Sequence, residues 1–90
     1  MTQDKLVLEK NVHNVCYAFY RYEISSGLVQ LEQTVSILTE IIAQNQFEET
    51  KLSEMNLLLS TILKAVENKD FIIAADLLKY ELLPRLAEAS

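Results

Sequence analysis

The chain has 90 residues, of which half are hydrophobic, with one glycine, one proline, no tryptophan and a formal net charge of −5. This length predicts a single domain, spanning residues 1–90. The acidic balance argues against nucleic-acid binding, because no Lys or Arg lies between Arg21 and Lys51 to form a basic surface. Few glycines and prolines and many good helix formers predict an all-α fold.

The sequence also bears on where the protein acts. No apolar run approaches the roughly 20 residues of a transmembrane helix, and no helix offers the basic face of a membrane-surface segment. The start, MTQDKLVLEK, carries two acids and no apolar core, so we do not expect a signal peptide. Cys16 is the only cysteine, which excludes an internal disulfide. We therefore expect a cytoplasmic protein with no membrane partner.

The first half of the chain contains two heptad-like apolar stripes that are out of phase. Tyr22 ends the first and Ile24 begins the second, and a step of two turns the apolar face by about 200°. Two interpretations remain. A break near 25–27, at Ser25-Ser26-Gly27, is favoured and gives helices at about 4–23 and 26–44; otherwise one long kinked helix spans 4–44. The stripes are Leu8, Val12, Val15, Phe19 and Tyr22, then Ile24, Leu28, Leu31, Val35, Leu38 and Ile42.

The second half predicts two more helices. Asn45-Gln46-Phe47-Glu48 has the form of a capping box, which indicates a helix at 47–67. Asn68-Lys69-Asp70 closes that helix and caps a fourth one at 70–88. Pro84 should kink or end the fourth helix, because it has no N–H to donate to the residue four positions back. The expected fold is a small bundle of three or four near-antiparallel helices.

The predicted fourth helix is apolar on two opposite sides. Such a helix has to be covered on both sides, and a short chain offers little material for this. We expect one stripe to face the core and the other to pack on a second subunit, in a homodimer, or on helix 1. The core stripe is Phe71, Ala75, Leu78 and Leu82, and the outer stripe is Ile73, Leu77 and Tyr80.

The first helix shows a similar second face. Tyr17, Tyr20 and Ile24 lie with His13 about 150° from the stripe that contains Phe19. Tyrosine suits both a packed interior and a partner surface, so both readings stay open. The predicted interface residues are Tyr17, Tyr20, Ile24, Ile73, Leu77 and Tyr80.

Catalytic and metal chemistry find little support in the sequence. Glu9, His13 and Cys16 share a helix face at i, i+4 and i+7, but the chain has no second His or Cys to complete a zinc site. No glycine-rich loop could supply an oxyanion hole or hold a phosphate. We predict no enzyme activity, no metal and no cofactor. The alternative from another class is a small-molecule or metal-binding regulator that uses the His13/Tyr17/Tyr20 face.

The segment ENKDFIIAADLLKYELLPRL at 67–86 resembles the ending of small, uncharacterised all-α bacterial proteins associated with flagellar and motility gene neighbourhoods. GLVQLEQTVSILTEIIAQNQFEET at 27–50 is similar to the middle of the same proteins in its spacing. The resemblance implies no catalytic residues. It implies an analogy with helical export chaperones, which hold an amphipathic client helix. The favoured function is a non-enzymatic, homodimeric protein–protein interaction module, with another helical protein as a possible further partner.

Overall fold

The computed structural model describes residues 2–44 and 47–89, and the side chains of 6–44 and 47–86. The all-α class is confirmed, since these residues contain helices and no strand. None of their helices is long and apolar enough to cross a membrane. The elements are α1 (Thr2–Tyr20), α2 (Ile24–Gln44), α3 (Glu49–Glu67), α4 (Phe71–Leu77), a π-helical turn (Leu78–Leu82) and α5 (Leu83–Ala89).

The chain divides into two units, residues 1–46 and 47–90. In the first unit, α1 and α2 pack against each other as an αα-hairpin with a three-residue connection. In the second, α3 packs against α4 and the π-helical turn. Because α4, the π-helical turn and α5 follow one another without a break, we call residues 71–89 the C-terminal helix. The single-domain assignment stays a prediction.

The predicted break between the first two helices exists, but it lies at residues 21–23 rather than 25–27. The N–H of Tyr22 donates to the carbonyl of Phe19 at 3.0 Å, and that of Glu23 donates to Ala18 at 2.8 Å. With Tyr22 in the left-handed region (φ 57°), these bonds form a Schellman motif that ends α1. The alternative of one long helix over 4–44 is therefore wrong, and Gly27 lies inside α2.

The buried face of α2 differs from the predicted stripe. Leu31 and Leu38 are buried as expected, but Leu28 is 40% exposed. Gly27 is buried against the C-terminal part of α1. A Cβ added to it would fall against the ring carbons Cε1 and Cδ1 of Phe19, and 3.3 Å from Cβ of Ala18. The buried residues of α2 are Gly27, Leu31, Thr34, Leu38 and Ile41, and the largest fully buried side chains of α1 are Leu8, Val12, Val15 and Phe19.

A second Schellman motif separates α3 from α4, where the sequence predicts a boundary. Lys69 has φ 64°, and its N–H donates to the carbonyl of Val66 at 3.0 Å. The N–H of Asp70 donates to the carbonyl of Ala65 at 2.8 Å. At its other end α3 starts at Glu49, two residues later than predicted, and the N-cap Glu48 makes no side-chain capping bond. Asn45 and Gln46 of the predicted capping box lie outside the described residues.

Pro84 does not end the C-terminal helix, which continues through it to Ala89. Of the two predicted effects of Pro84, a kink or a helix end, the end is not observed, and the helix is instead distorted by a wider turn just before the proline. In that turn the N–H of Leu83 donates to the carbonyl of Leu78, five residues back. The predicted core stripe is buried at Ala75, Leu78 and Leu82, which are all 0% exposed, whereas Phe71 is only half-buried.

Candidate interaction surface

The outer face of the C-terminal helix is defined by Ile73, Leu77 and Tyr80. Ile73 is 53% and Tyr80 60% exposed, and Leu77 is half-buried. These three residues share one face of the helix, because steps of three and four residues return to the same side. At 100° per residue, this face lies roughly opposite the one that carries Leu78 and Leu82. The surface is thus apolar and aromatic on a helix whose other side is fully packed.

Positive charge lies next to this face. The Nζ atom of Lys79 is 5.3 Å from the centroid of the Tyr80 ring, within cation–π distance. Glu81 follows in the chain and forms an ion pair with Arg85, with Oε1 2.8 Å from Nη1. Charges of both signs therefore border the outer face.

The exposed side of α1 carries a second row of large side chains, which we call the α1 row: Leu6, His13, Tyr17 and Tyr20. Leu6 and Tyr17 are both 61% exposed, Tyr20 is 40% exposed, and His13 is exposed as well. The spacings of seven, four and three residues place them on one face of the helix. Ile24, predicted to extend this surface, is half-buried at the start of α2.

A cation is fixed at the C-terminal end of the α1 row. The guanidinium carbon of Arg21 lies 5.1 Å from the centroid of the Tyr17 ring, and its Nε donates to Oε2 of Glu23 at 3.1 Å. The hydrogen bond to Glu23, followed by the electrostatic effect of Tyr17, raises the pKa of the Arg21 side chain. The Arg21 guanidinium, which is always protonated in proteins, therefore places a positive charge beside the Tyr17 ring.

Two of the three residues of the possible metal face, His13 and Cys16, differ in their exposure. Cys16 is 3% exposed, whereas His13 is exposed on the α1 row. Nε2 of His13 lies 4.0 Å from Oε1 of Glu9, so the imidazole faces a carboxylate on the helix surface. Within the described ranges, no three His, Cys, Asp or Glu residues come close enough to hold a metal ion.

Sequence reasoning missed several exposed apolar residues. Among the side chains that the structure describes, Leu57 is the most exposed large hydrophobic one, at 71%, and Leu63 is 42% exposed. Leu63 borders a shallow, open depression of about 590 Å³ on α3, together with Asn56, Leu59, Ser60, Lys64, Val66 and Glu67. In the sequence, their exposure was indicated only by the number of leucines in α3, which lie on more than one side of the helix.

Residues 22–90 match the family described as Domain of unknown function (DUF8042). The chain belongs to the DUF8042 family. The match begins at Tyr22, the left-handed residue after α1, and covers α2, α3 and the C-terminal helix. Ile24 and the outer face therefore lie within the DUF8042 region, and the α1 row lies before it.

Searches of curated proteins and of solved structures gave no match. The DUF8042 assignment carries no information about gene neighbourhoods, so the link to motility and the chaperone analogy stay predictions. The function of the chain has to be argued from its surfaces.

Proposed function

We propose that this DUF8042 protein is a non-enzymatic, cytoplasmic protein–protein interaction module that forms a homodimer. The observation that carries the proposal is the outer face of the C-terminal helix. Ile73 and Tyr80 are more than half exposed there, while Ala75, Leu78 and Leu82 on the other side of the same helix are fully buried. Neighbouring large apolar side chains on a helix surface are typical of a binding site.

The energetic argument concerns what these side chains gain when they are covered. Burying a large aliphatic side chain contributes roughly 1.5–3 kcal/mol relative to leaving it in water. Tyrosine adds apolar area together with a hydroxyl that can find a hydrogen-bond partner at an interface. Three such residues on consecutive turns favour association over exposure to solvent.

The charges around the outer face support a second copy as the partner. Asp76 and Glu81 are acidic and Lys79 is basic, all within one or two turns of Leu77. A surface with both signs does not repel its own copy, whereas a surface of one sign would. By contrast, α2 carries Glu32 and Glu40 and no Lys or Arg, so its exposed side is less suited to self-association.

The α1 row gives separate support for a binding role. Tyrosine is enriched at protein interfaces, and Arg21 adds a cation 5.1 Å from the centroid of the Tyr17 ring. We propose that Tyr17 and Tyr20 contribute to the same function.

The test compares two neighbouring leucines with opposite surroundings. Leu77→Glu places a charge on the half-buried outer side, and we expect monomers with nearly unchanged helix content, because an unpaired charge is costly in a packed interface. Leu78→Glu places the same charge at a fully buried position and should unfold the protein. Light scattering and circular dichroism on both variants measure the two effects.

Ser53→Glu is the matched control, since it adds the same charge at an exposed polar position of α3. It should leave both the dimer and the helix content unchanged. A wild-type protein that is monomeric at high micromolar concentration would contradict the homodimer. Unfolding of both leucine variants would instead assign Leu77 to the core of the subunit.

A further inference from the structure

The π-helical turn lies directly before the only proline of the chain. Leu83 donates its N–H to the carbonyl of Leu78, five residues back, and Pro84 follows at once. In a regular α-helix, the ring of Pro84 would press on the carbonyl of Tyr80, four residues back, and that carbonyl would lack its donor. A wider turn at this point moves the helix away from that geometry.

The side chain of Arg85 bonds back to Glu81, in the turn that precedes the proline. Nη1 of Arg85 donates to the backbone carbonyl of Glu81 at 3.2 Å and to its carboxylate Oε1 at 2.8 Å. The guanidinium thus supplies a donor to a carbonyl in the distorted turn. The π-helical turn and α5 follow each other without a break at this point.

The wider turn changes which residue of the last turns is buried. In a regular α-helix, residue 85 would lie within about 20° of Leu78, because seven residues make nearly two turns. The structure instead buries Leu86, which is 4% exposed, and leaves the side chain of Arg85 39% exposed. The π-helical turn acts as a one-residue insertion, which rotates everything after it back by about 100°.

We infer that Pro84 is the residue that sets the helix register, and that it decides whether Leu86 or Arg85 enters the core. With Pro84 present, the α register is excluded and Leu86 takes the buried position after Leu82. Without it, the α register becomes accessible and would place residue 85 there instead. The two registers differ by a rotation of about 100° and so expose different side chains at positions 85 and 86, one of them charged and the other apolar.

The surface affected by the register is a small polar notch of about 280 Å³, lined by Lys51, Glu54, Pro84 and Arg85. In the observed register Arg85 lines this notch and pairs with Glu81. A change to the α register would withdraw Arg85 and present Leu86. This inference is independent of the proposed dimer, because neither residue belongs to the outer face.

A competing explanation is that leucine spacing alone selects the wide turn. Leu78, Leu82 and Leu86 are separated by steps of four, which drift by about 40° per step in a regular α-helix and align better in a wider one. In that case Pro84 only tolerates a turn that leucine burial would form anyway. The two explanations predict different effects of removing Pro84 from a variant in which the leucine stands at position 85 instead of 86.

The experiment exchanges the two residues and then removes the proline. Arg85→Leu combined with Leu86→Arg keeps the composition, but in the observed register it brings a charge into the core. We expect the midpoint of thermal unfolding to fall by roughly 10 °C or more. Adding Pro84→Ala opens the α register, which places the leucine now at position 85 in the core. We expect this to restore at least half of the loss.

Pro84→Ala alone, in the natural order of residues 85 and 86, is the matched control, since it reports the general effect of removing a helical proline. The inference requires that Pro84→Ala raises the midpoint of the exchanged protein by clearly more than that of the natural protein. Equal effects in the two backgrounds, or an exchange that leaves stability unchanged, would overturn it. Circular dichroism at one protein concentration records all four melting curves.

Discussion

Gly27 of α2 lies directly against the ring of Phe19 in α1. Phe19 is completely buried, and the space that a Cβ of residue 27 would need is filled by its ring. Inside a helix glycine costs about 1 kcal/mol relative to alanine, so its presence needs a packing reason. The contact with Phe19 supplies that reason and explains why the buried seam of α2 runs through Gly27.

We predict that Gly27→Ala destabilises the protein by up to about 2 kcal/mol, because moving the ring of Phe19 costs roughly 1–3 kcal/mol and the better helix propensity of alanine offsets only about 1 kcal/mol. Ser26→Ala, one residue earlier and exposed, should change stability by less than about 0.5 kcal/mol. Denaturant unfolding followed by circular dichroism measures both variants.

The contact itself can be tested with a second substitution. In a Phe19→Leu background the smaller side chain leaves room, so Gly27→Ala should cost clearly less there than in the natural chain. A cost that is the same in both backgrounds would show that the ring is not the cause.

At the scale of the elements, α1 and α3 end in the same way and without glycine. Tyr22 and Lys69 both occupy the left-handed region, with φ of 57° and 64°. Each is followed by an acid, Glu23 or Asp70, whose N–H closes the six-residue Schellman hydrogen bond. The left-handed conformation is unfavourable for residues with a Cβ, so glycine at either position should stabilise the helix end.

We predict that Lys69→Gly stabilises the protein by roughly 0.5–1 kcal/mol, since glycine adopts the left-handed conformation without a steric penalty. Lys64→Gly is the matched control. It removes the same charge from an exposed position inside α3 and should destabilise by about 1 kcal/mol. Opposite signs for the two substitutions in denaturant unfolding are expected, whereas destabilisation by both would refute the prediction.

At the scale of the whole molecule, the proposed homodimer makes stability depend on concentration. A partner that binds only the folded state stabilises it by mass action. We therefore expect the midpoint of thermal unfolding to rise by about 5–10 °C when the protein concentration is raised a hundredfold. Differential scanning calorimetry at the two concentrations measures this shift.

Leu77→Glu provides the control for that measurement. If the outer face is the interface, this variant should melt at a midpoint that does not change with concentration. A concentration dependence that survives in Leu77→Glu would place the dimer contact elsewhere, and the α1 row would be the next surface to test.

The sequence by itself determined the all-α class and the approximate positions of the four helices. Helix-forming composition and apolar periodicity are local properties, and they do not depend on what a helix packs against. The two-sided character of the C-terminal helix was also visible, because Leu78 and Leu77 fall on different stripes whatever the fold. The exposure of Ile73 and Tyr80 agrees with that pattern, but their partner is not a property of the local sequence.

Only the tertiary structure decided the details that depend on neighbours. The buried seam of α2 passes through Gly27 and Thr34 rather than Leu28 and Val35. The ring of Phe19 packs against Gly27, so this contact, and not hydropathy, decides which side of α2 faces α1 there. The hydroxyl of Thr34 can be buried because it donates to the carbonyl of Gln30 at 2.8 Å. The break after α1 came from Tyr22 in a conformation that sequence rules assign to glycine. Likewise, only the structure shows the π-helical turn before Pro84 and the burial of Leu86 after it, since the local sequence was equally compatible with a helix that ended at the proline.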